Sequence, residues 1–458
     1  MLHGVSSAVA AEGCFAAAKE YLRCVNRALP LRTTPVSRFS IPDRWKTRIR
    51  RVCIKGHRFF SSGEKMPRRV IYTDKLMRPI AHFSHASRVA NIVHVGASAG
   101  VFPDLRLAGD VPGRVDMEAQ TRRMFANLRT TLQLLGAETC DVVRLKAYVA
   151  DTRDIAKYLD VFAEEFRDMR PAHSVIGSWS FPLPQAAVEI DTVAIVDGKP
   201  LLVPDVGLCV FTGSQAGGIV VGDQHYSTAL PIEADGSVSL GDTGVQIAVA
   251  LRNLSTMLNS GGFTAGDICS LHVTILDIRD YSLVEREFSN FFGDHFPTWT
   301  VVGAPLEVPQ LRIAIESIAI KGGGRPISSS LSPLRSGGPA PGMLAGELLF
   351  LSGQGAPPAE DVTAEEQANA AWRRLQSLIE SAGFGHDTML RTNNVLTDWR
   401  DFQGFNAGYG PNIAEPYVPR ATVLGHLTDV RAKVQIEGIA HRQGGDAQII
   451  QVAPVMKR

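Results

Sequence analysis

Cysteine is scarce in this sequence: six in 458 residues, with no CxxC pair among them. Spacing of that kind excludes a zinc ribbon or a thioredoxin-like dithiol. Scattered cysteines are read instead as reduced thiols of an intracellular protein, with a cytoplasmic location expected. No histidine cluster has zinc spacing, and no glycine motif of Walker or Rossmann type is present. Neither a metal nor another cofactor is therefore expected. No apolar stretch approaches the roughly 20 residues a membrane helix needs. Charge of one sign is also missing: Lys and Arg number 47, Asp and Glu 46, a net charge of +1. That leaves no global field for nucleic acid or an anionic membrane. Aromatic residues make up only 7%, with no basic stripe interleaved, so no stacking platform for bases is foreseen.

The balance conceals an asymmetry. Residues 1–65 hold 13 Lys/Arg and 4 Asp/Glu, so the remainder is mildly acidic. This basic extension lacks the long apolar core of a secretory signal. It is expected to be disordered, or to precede a true start at Met66, with an organellar targeting peptide as the alternative.

What is present in abundance is repetition. A helical pattern recurs as QTRRMFANLRTTLQLLG from Gln120, QIAVALRNLSTMLNSGG from Gln246 and QANAAWRRLQSLIESAG from Gln367, at offsets of 126 and 121 residues. Met117, Met124, Phe125, Leu128, Leu132 and Leu135 fall on one face of the first. Gly136, Gly262 and Gly383 follow where a helix C-cap is expected. Each helix leads to an aspartate and a strand: DVVRLKAYVAD from Asp141, DICSLHVTILD from Asp267, DTMLRTNNVLTD from Asp387. A second helix, a proline and a closing strand come next. The closing strands are VEIDTVAIV from Val188, IAIESIAI from Ile313 and VQIEGIA from Val434. Opening hairpins are placed at Ile92, Cys209 and Leu349. The pattern per copy is β-β-α-β-α-β-β. The copies are set at 66–198, 199–322 and 341–442, with a Gly/Ser/Pro-rich linker at 323–340 and a tail at 443–458.

Across about residues 66–442 these features resemble the RidA (YjgF-like) family. Its members show an SGQ hairpin, a QT…NL helix, a DVV strand, a P-A-R-S/T loop and a VEIEAIA strand. The resemblance implies an α+β, chorismate-mutase-like fold, a mixed sheet covered on one face by two helices. Members are normally homotrimers with ligand clefts between neighbours. Three copies in one chain thus imply an intramolecular pseudo-trimer, expected to be monomeric. Physics agrees, because each sheet has a second apolar face that one copy cannot cover alone.

Active members hydrolyse reactive enamines and imines. An arginine holds the substrate carboxylate, and a glutamate positions or activates water. The resemblance carries that glutamate onto Glu189 in the first copy, but onto Ala314 and Gln435 in the others. Counting back from the shared glycine, the arginine position falls on His173, Trp299 and Ala421, with Arg420 one residue off. A one-residue shift on an extended strand reverses the side chain, though a bulge would restore it. The third copy keeps Ser352, Gly353 and Gln354 of the SGQ hairpin, where Val95 and Thr212 replace the serine. It also keeps Asn406 of the second helix. Phe83 stands where the family has a tyrosine.

Two constellations follow. Glu189 and His173 are the candidate catalytic pair, facing a neighbour's SGQ hairpin. Arg420, Gln435 and Asn406 form a second candidate site. The function implied is hydrolysis or deamination of a small carboxylated imine or enamine. The alternatives are a catalytically silent metabolite-binding pseudo-trimer and a chorismatase-like hydrolase of the same plan. A small molecule is the expected partner in each case.

Overall fold

The computed structural model describes residues 67–111, 114–167, 169–203, 217–356 and 362–451. The basic segment 1–65 lies outside the described residues, and so does Thr212. The described part is three α+β units, each a mixed sheet with two helices on one face.

The repeated helices run over Met117–Leu134, Thr243–Ser260 and Ala364–Ser381. Local chemistry starts and stops each one. The carboxylates of Asp116 and Asp242 accept from the third helical N–H, and Thr363 does so within a capping box with Glu366. Gly136, Gly262 and Gly383 follow at φ of 71°, 79° and 75°, a backbone that side chains with a Cβ rarely adopt. The apolar face of each helix packs on its own sheet, giving one core per copy.

Within each sheet a middle strand lies between a parallel outer strand and an antiparallel closing strand. The middle strands are Val142–Val149, Ile268–Ile275 and Met389–Leu396. The outer strands are Ala172–Gly177, Thr298–Gly303 and Arg420–Leu424. The closing strands are Val188–Ile195, Ile313–Ile320 and Val434–His441. Beyond the closing strand comes the hairpin, then a short third strand: Arg69–Ile71, Leu201–Val203 or Arg325–Ile327.

Besides this short edge strand in each copy, three features depart from the pattern read in the sequence. The hairpin of the second copy is Gly218–Val221 with Gln224–Ala229, not a segment beginning at Cys209. Its match to the family hairpin is faint, so the more SGQ-like stretch upstream drew the alignment. Thr228, rather than Thr212, therefore sits on the strand facing Glu316 of the closing strand. The stretch at 323–340 begins with a strand, Arg325–Ile327, where Pro326 is tolerated because the strand is at the sheet edge. Past residue 442, Gln448–Gln451 pairs in parallel with Arg69–Ile71 and joins the third copy to the first.

The three sheets face one another as an intramolecular pseudo-trimer. The outer strand of each copy packs on the hairpin of the next: third on first, first on second, second on third. Two apolar clusters on the shared axis draw residues from all three copies. Between them lies a buried charged layer. Arg144 Nη2 is 2.6 Å from Glu316, Arg391 Nη2 is 2.6 Å from Asp191, and His272 Nδ1 is 3.2 Å from Glu437. Each of these pairs crosses a different interface between copies. Lys146 Nζ adds a second partner to Glu316 at 2.7 Å.

Candidate functional site

The interface between the third and first copies holds a cleft of about 50 Å³. The third copy contributes Phe402, Arg420 and Thr422; the first contributes Glu189, Phe83 and the loops around Met77 and Leu183. The backbones approach closely here. A Cβ on Gly96 would lie 2.9 Å from the Arg420 nitrogen, so only glycine lets the two strands meet. A hydrogen bond from Ser84 N to Val418 O at 3.2 Å adds to the junction.

Arg420 is held firmly yet left electrostatically uncompensated. Its Nη2 donates to Asn406 Oδ1 at 2.6 Å, and Asn406 in turn donates to Phe402 O at 2.7 Å. The guanidinium lies 4.6 Å from the Tyr409 ring, 5.2 Å from Phe405 and 5.9 Å from Phe83. Its Nη1 is buried with no hydrogen-bond partner among the described residues. Among the described residues no carboxylate stands within ion-pair distance of it. A buried guanidinium in that condition is costly unless an anion arrives. Burial lowers its proton affinity.

Glu189 lies on the opposite side of the cleft and is 8% exposed. Burial alone pushes its carboxyl up to about 8, because no donor or cation among the described residues offsets the loss of water. Apart from Thr422, whose Oγ1 accepts from Asn394 Nδ2 at 3.2 Å, the remaining walls are hydrocarbon: Met77, Ile80, Pro182, Leu183 and the ring of Phe83. The cleft thus presents one cation, one carboxyl that changes state near neutral pH, and an apolar lining.

Strand register explains the position of Arg420. Leu145, Leu271 and Thr392 of the middle strands face Thr192, Ser317 and Gly438, equivalent positions of the closing strands. Their parallel partners are His173, Trp299 and Arg420. Arg420 therefore occupies the arginine position itself. The pairing is continuous from Arg420 to Leu424 with no bulge, so the extra residue before Gly425 falls at the strand end.

The sequence-derived candidates divide among three places. Glu189, Arg420, Asn406 and Phe83 come together in or directly behind this cleft. His173 does not line it. It stacks on Phe162 at 3.9 Å, with its Nε2 2.9 Å from the Tyr158 hydroxyl, and burial holds its ring at about 3. Trp299 likewise packs in its own core, 5.3 Å from Phe288. Gln435, Ser352 and Gly353 belong to the interface of the second and third copies. Gly353 N donates to Thr300 Oγ1 at 2.8 Å, and a Cβ there would meet Gln435 Cδ at 2.6 Å. Ser352 Oγ is spent on Ala340 O at 2.6 Å. The interface of the first and second copies has Ala314 at the glutamate position and is bridged by Gly177 N to Pro305 O at 2.8 Å. The SGQ hairpin thus faces the second copy, and Glu189 faces Arg420. Tyr409, Met77, Ile80 and Leu183 carried no sequence signal, being apolar or aromatic residues of a helix and loops.

The endoribonuclease L-PSP family model matches residues 73–196 and 337–442, which are the first and third copies. The chain belongs to this family, that of the Rid proteins. A RutC family protein of Pyrococcus abyssi is 30% identical over 129 residues, 28% of this chain and 98% of that protein. A 2-iminobutanoate/2-iminopropanoate deaminase of Dermatophagoides farinae is 30% identical over 131 residues, 29% of this chain and 98% of that protein. Among solved structures, a chorismatase aligns over 66% of this chain and 93% of its own, at 12% identity and a TM-score of 0.47. The two copies that the family model matches are the two that build the cleft. Among the described residues no helix is long and apolar enough to cross a membrane.

Proposed function

We propose that this Rid protein hydrolyses small carboxylated imines, or the enamines in equilibrium with them, in the cleft between its third and first copies. The observation that carries this reading is that, among the described residues, Arg420 Nη1 is buried without a partner in the same cleft as an unpaired Glu189. An anionic carboxylate supplies what the guanidinium lacks, in a charge-assisted contact. The imine carbon of the same molecule then lies over the apolar floor near Glu189. As a carboxylate, Glu189 takes a proton from water while the oxygen bonds to the carbon of the protonated imine and the C=N pair moves to nitrogen, giving a carbinolamine. As a carboxylic acid, it returns that proton to nitrogen. The C–N bond then breaks as the hydroxyl's O–H pair forms the C=O bond, and Glu189 passes the hydroxyl proton to the departing ammonia. The products are a 2-oxo acid and ammonium. A group titrating at about 8 is suited to both steps near neutral pH.

The test is ammonia release from an imino acid generated in place by an amino-acid oxidase. Native protein accelerates release, Glu189→Gln loses at least about a hundredfold in kcat, and Arg420→Met raises KM. No acceleration, together with 2-oxo acid binding that Arg420→Met abolishes, would replace catalysis by the silent metabolite-binding reading.

A further inference from the structure

Next to the cleft, inside the first copy, lies a second cavity of about 30 Å³. The two cavities share Met77, Phe83, Ala97 and Ala99 as a common wall. Ala99 pairs with Glu189 across the sheet, so this wall begins beside the reacting carboxyl. Its small methyl groups leave room that larger side chains would fill. Leu76 and Val95 continue the hydrocarbon lining inward.

Asn127 and Thr131 of the second cavity are engaged within the protein, and His85 is engaged through one ring nitrogen. Asn127 Nδ2 donates to the carbonyls of Ala99 and Val101, each at 2.9 Å. Thr131 Oγ1 donates to Asn127 O at 2.9 Å. His85 Nε2 lies 2.8 Å from Met77 O. What remains for a guest is the hydrocarbon lining and His85 Nδ1, which is buried with no partner among the described residues.

Two substituents of an α-imino acid are placed by the reading above: the carboxylate at Arg420 and the C=N carbon at Glu189. The third, its side chain, needs a compartment of its own. We infer, on the basis of that imine-hydrolase reading, that the side chain passes between Met77 and Phe83 into the second cavity. The cleft then selects α-imino acids with a long, flexible apolar side chain. Leu76 and Thr131, which line the second cavity alone, set how much length is accepted.

The experiment compares imino acids generated in place from alanine, norvaline and norleucine, with kcat/KM read as ammonia release. Burying a methylene is worth about 0.8 kcal/mol, or about fourfold, so the norleucine-derived imine is expected to exceed the alanine-derived one by roughly tenfold or more. Thr131→Met fills the second cavity from the helix, and Leu76→Phe fills it from the loop. In each folded variant the ratio is expected to collapse to within about threefold of unity. A native ratio near one, or a ratio unchanged in both folded variants, overturns the inference while leaving imine hydrolysis intact. Absence of turnover with all three imines overturns the hydrolase reading, and this inference with it.

Discussion

Glu189→Gln should stabilise the protein in a strongly pH-dependent way. The native carboxyl is buried without a partner, and its titration moves from the ordinary 4.5 up to about 8. Below pH 4.5 it is protonated both folded and unfolded, so it has no linked effect. Between pH 4.5 and 8 the unfolded chain releases the proton and the folded protein keeps it, so folding stability falls as pH rises. At 1.36 kcal/mol per pH unit the deficit is roughly 3 kcal/mol at pH 7 and roughly 5 kcal/mol above pH 8. Glutamine has the same shape and does not ionise. The variant should therefore resemble native protein at pH 4.5 and exceed it by several kcal/mol at pH 9. Urea denaturation at pH 4.5, 7 and 9 measures the difference directly. Equal stabilities at pH 9 would refute the premise that Glu189 is buried and uncompensated. The same variant should be the one that loses turnover, tying the cost in stability to the chemistry.

Arg420→Met, which removes a buried uncompensated cation, should lower carboxylate affinity at least about a hundredfold without lowering stability, as measured by calorimetric titration with a 2-oxo acid and by urea denaturation. Titration of native protein should give one site per chain, since the other two interfaces have His173 or Trp299 at the position of Arg420; three equivalent sites would contradict that. Glu316→Gln should cost about 3 to 5 kcal/mol, because it strips Arg144 and Lys146 of a shared buried partner, whereas loss of the exposed Arg153–Asp151 pair should leave the urea midpoint unchanged. Burial pushes the Glu316 carboxyl up, but Arg144 and Lys146 outweigh it and hold it far below the usual range. Its stabilisation is thus complete above pH 4.5 and lost as pH falls, which acid unfolding of the native and variant proteins can separate. His173→Phe should keep kcat within about twofold while leaving the Tyr158 hydroxyl unpaired, at a cost of about 1 to 3 kcal/mol.

The sequence by itself determined that there are three copies, the glycine-marked ends of the main helices and, but for an edge strand before each hairpin and the place of the second hairpin, the order of elements. Those features are local: caps at Asp116, Asp242 and Thr363, glycines at positive φ, and the alternation of buried positions along strands. It also pointed to Glu189 and Arg420 as chemically relevant, but as members of different constellations. Only tertiary structure joined them. Counting along the chain from Gly425 displaced Arg420 by one residue, whereas pairing with Thr392 across the sheet puts it in line with His173 and Trp299. Register is decided by hydrogen bonds between strands, which chain spacing does not encode where strand ends vary. The fate of His173 was equally invisible: its partners, Phe162 and Tyr158, lie on a helix packed over it. Which residues meet at each interface depends on side chains from two copies meeting in space. Gly353 meets Thr300 at one, and Gly96 meets Arg420 at another. Such outcomes follow from packing of residues hundreds of positions apart, and there the sequence pattern, which is local, carries no information.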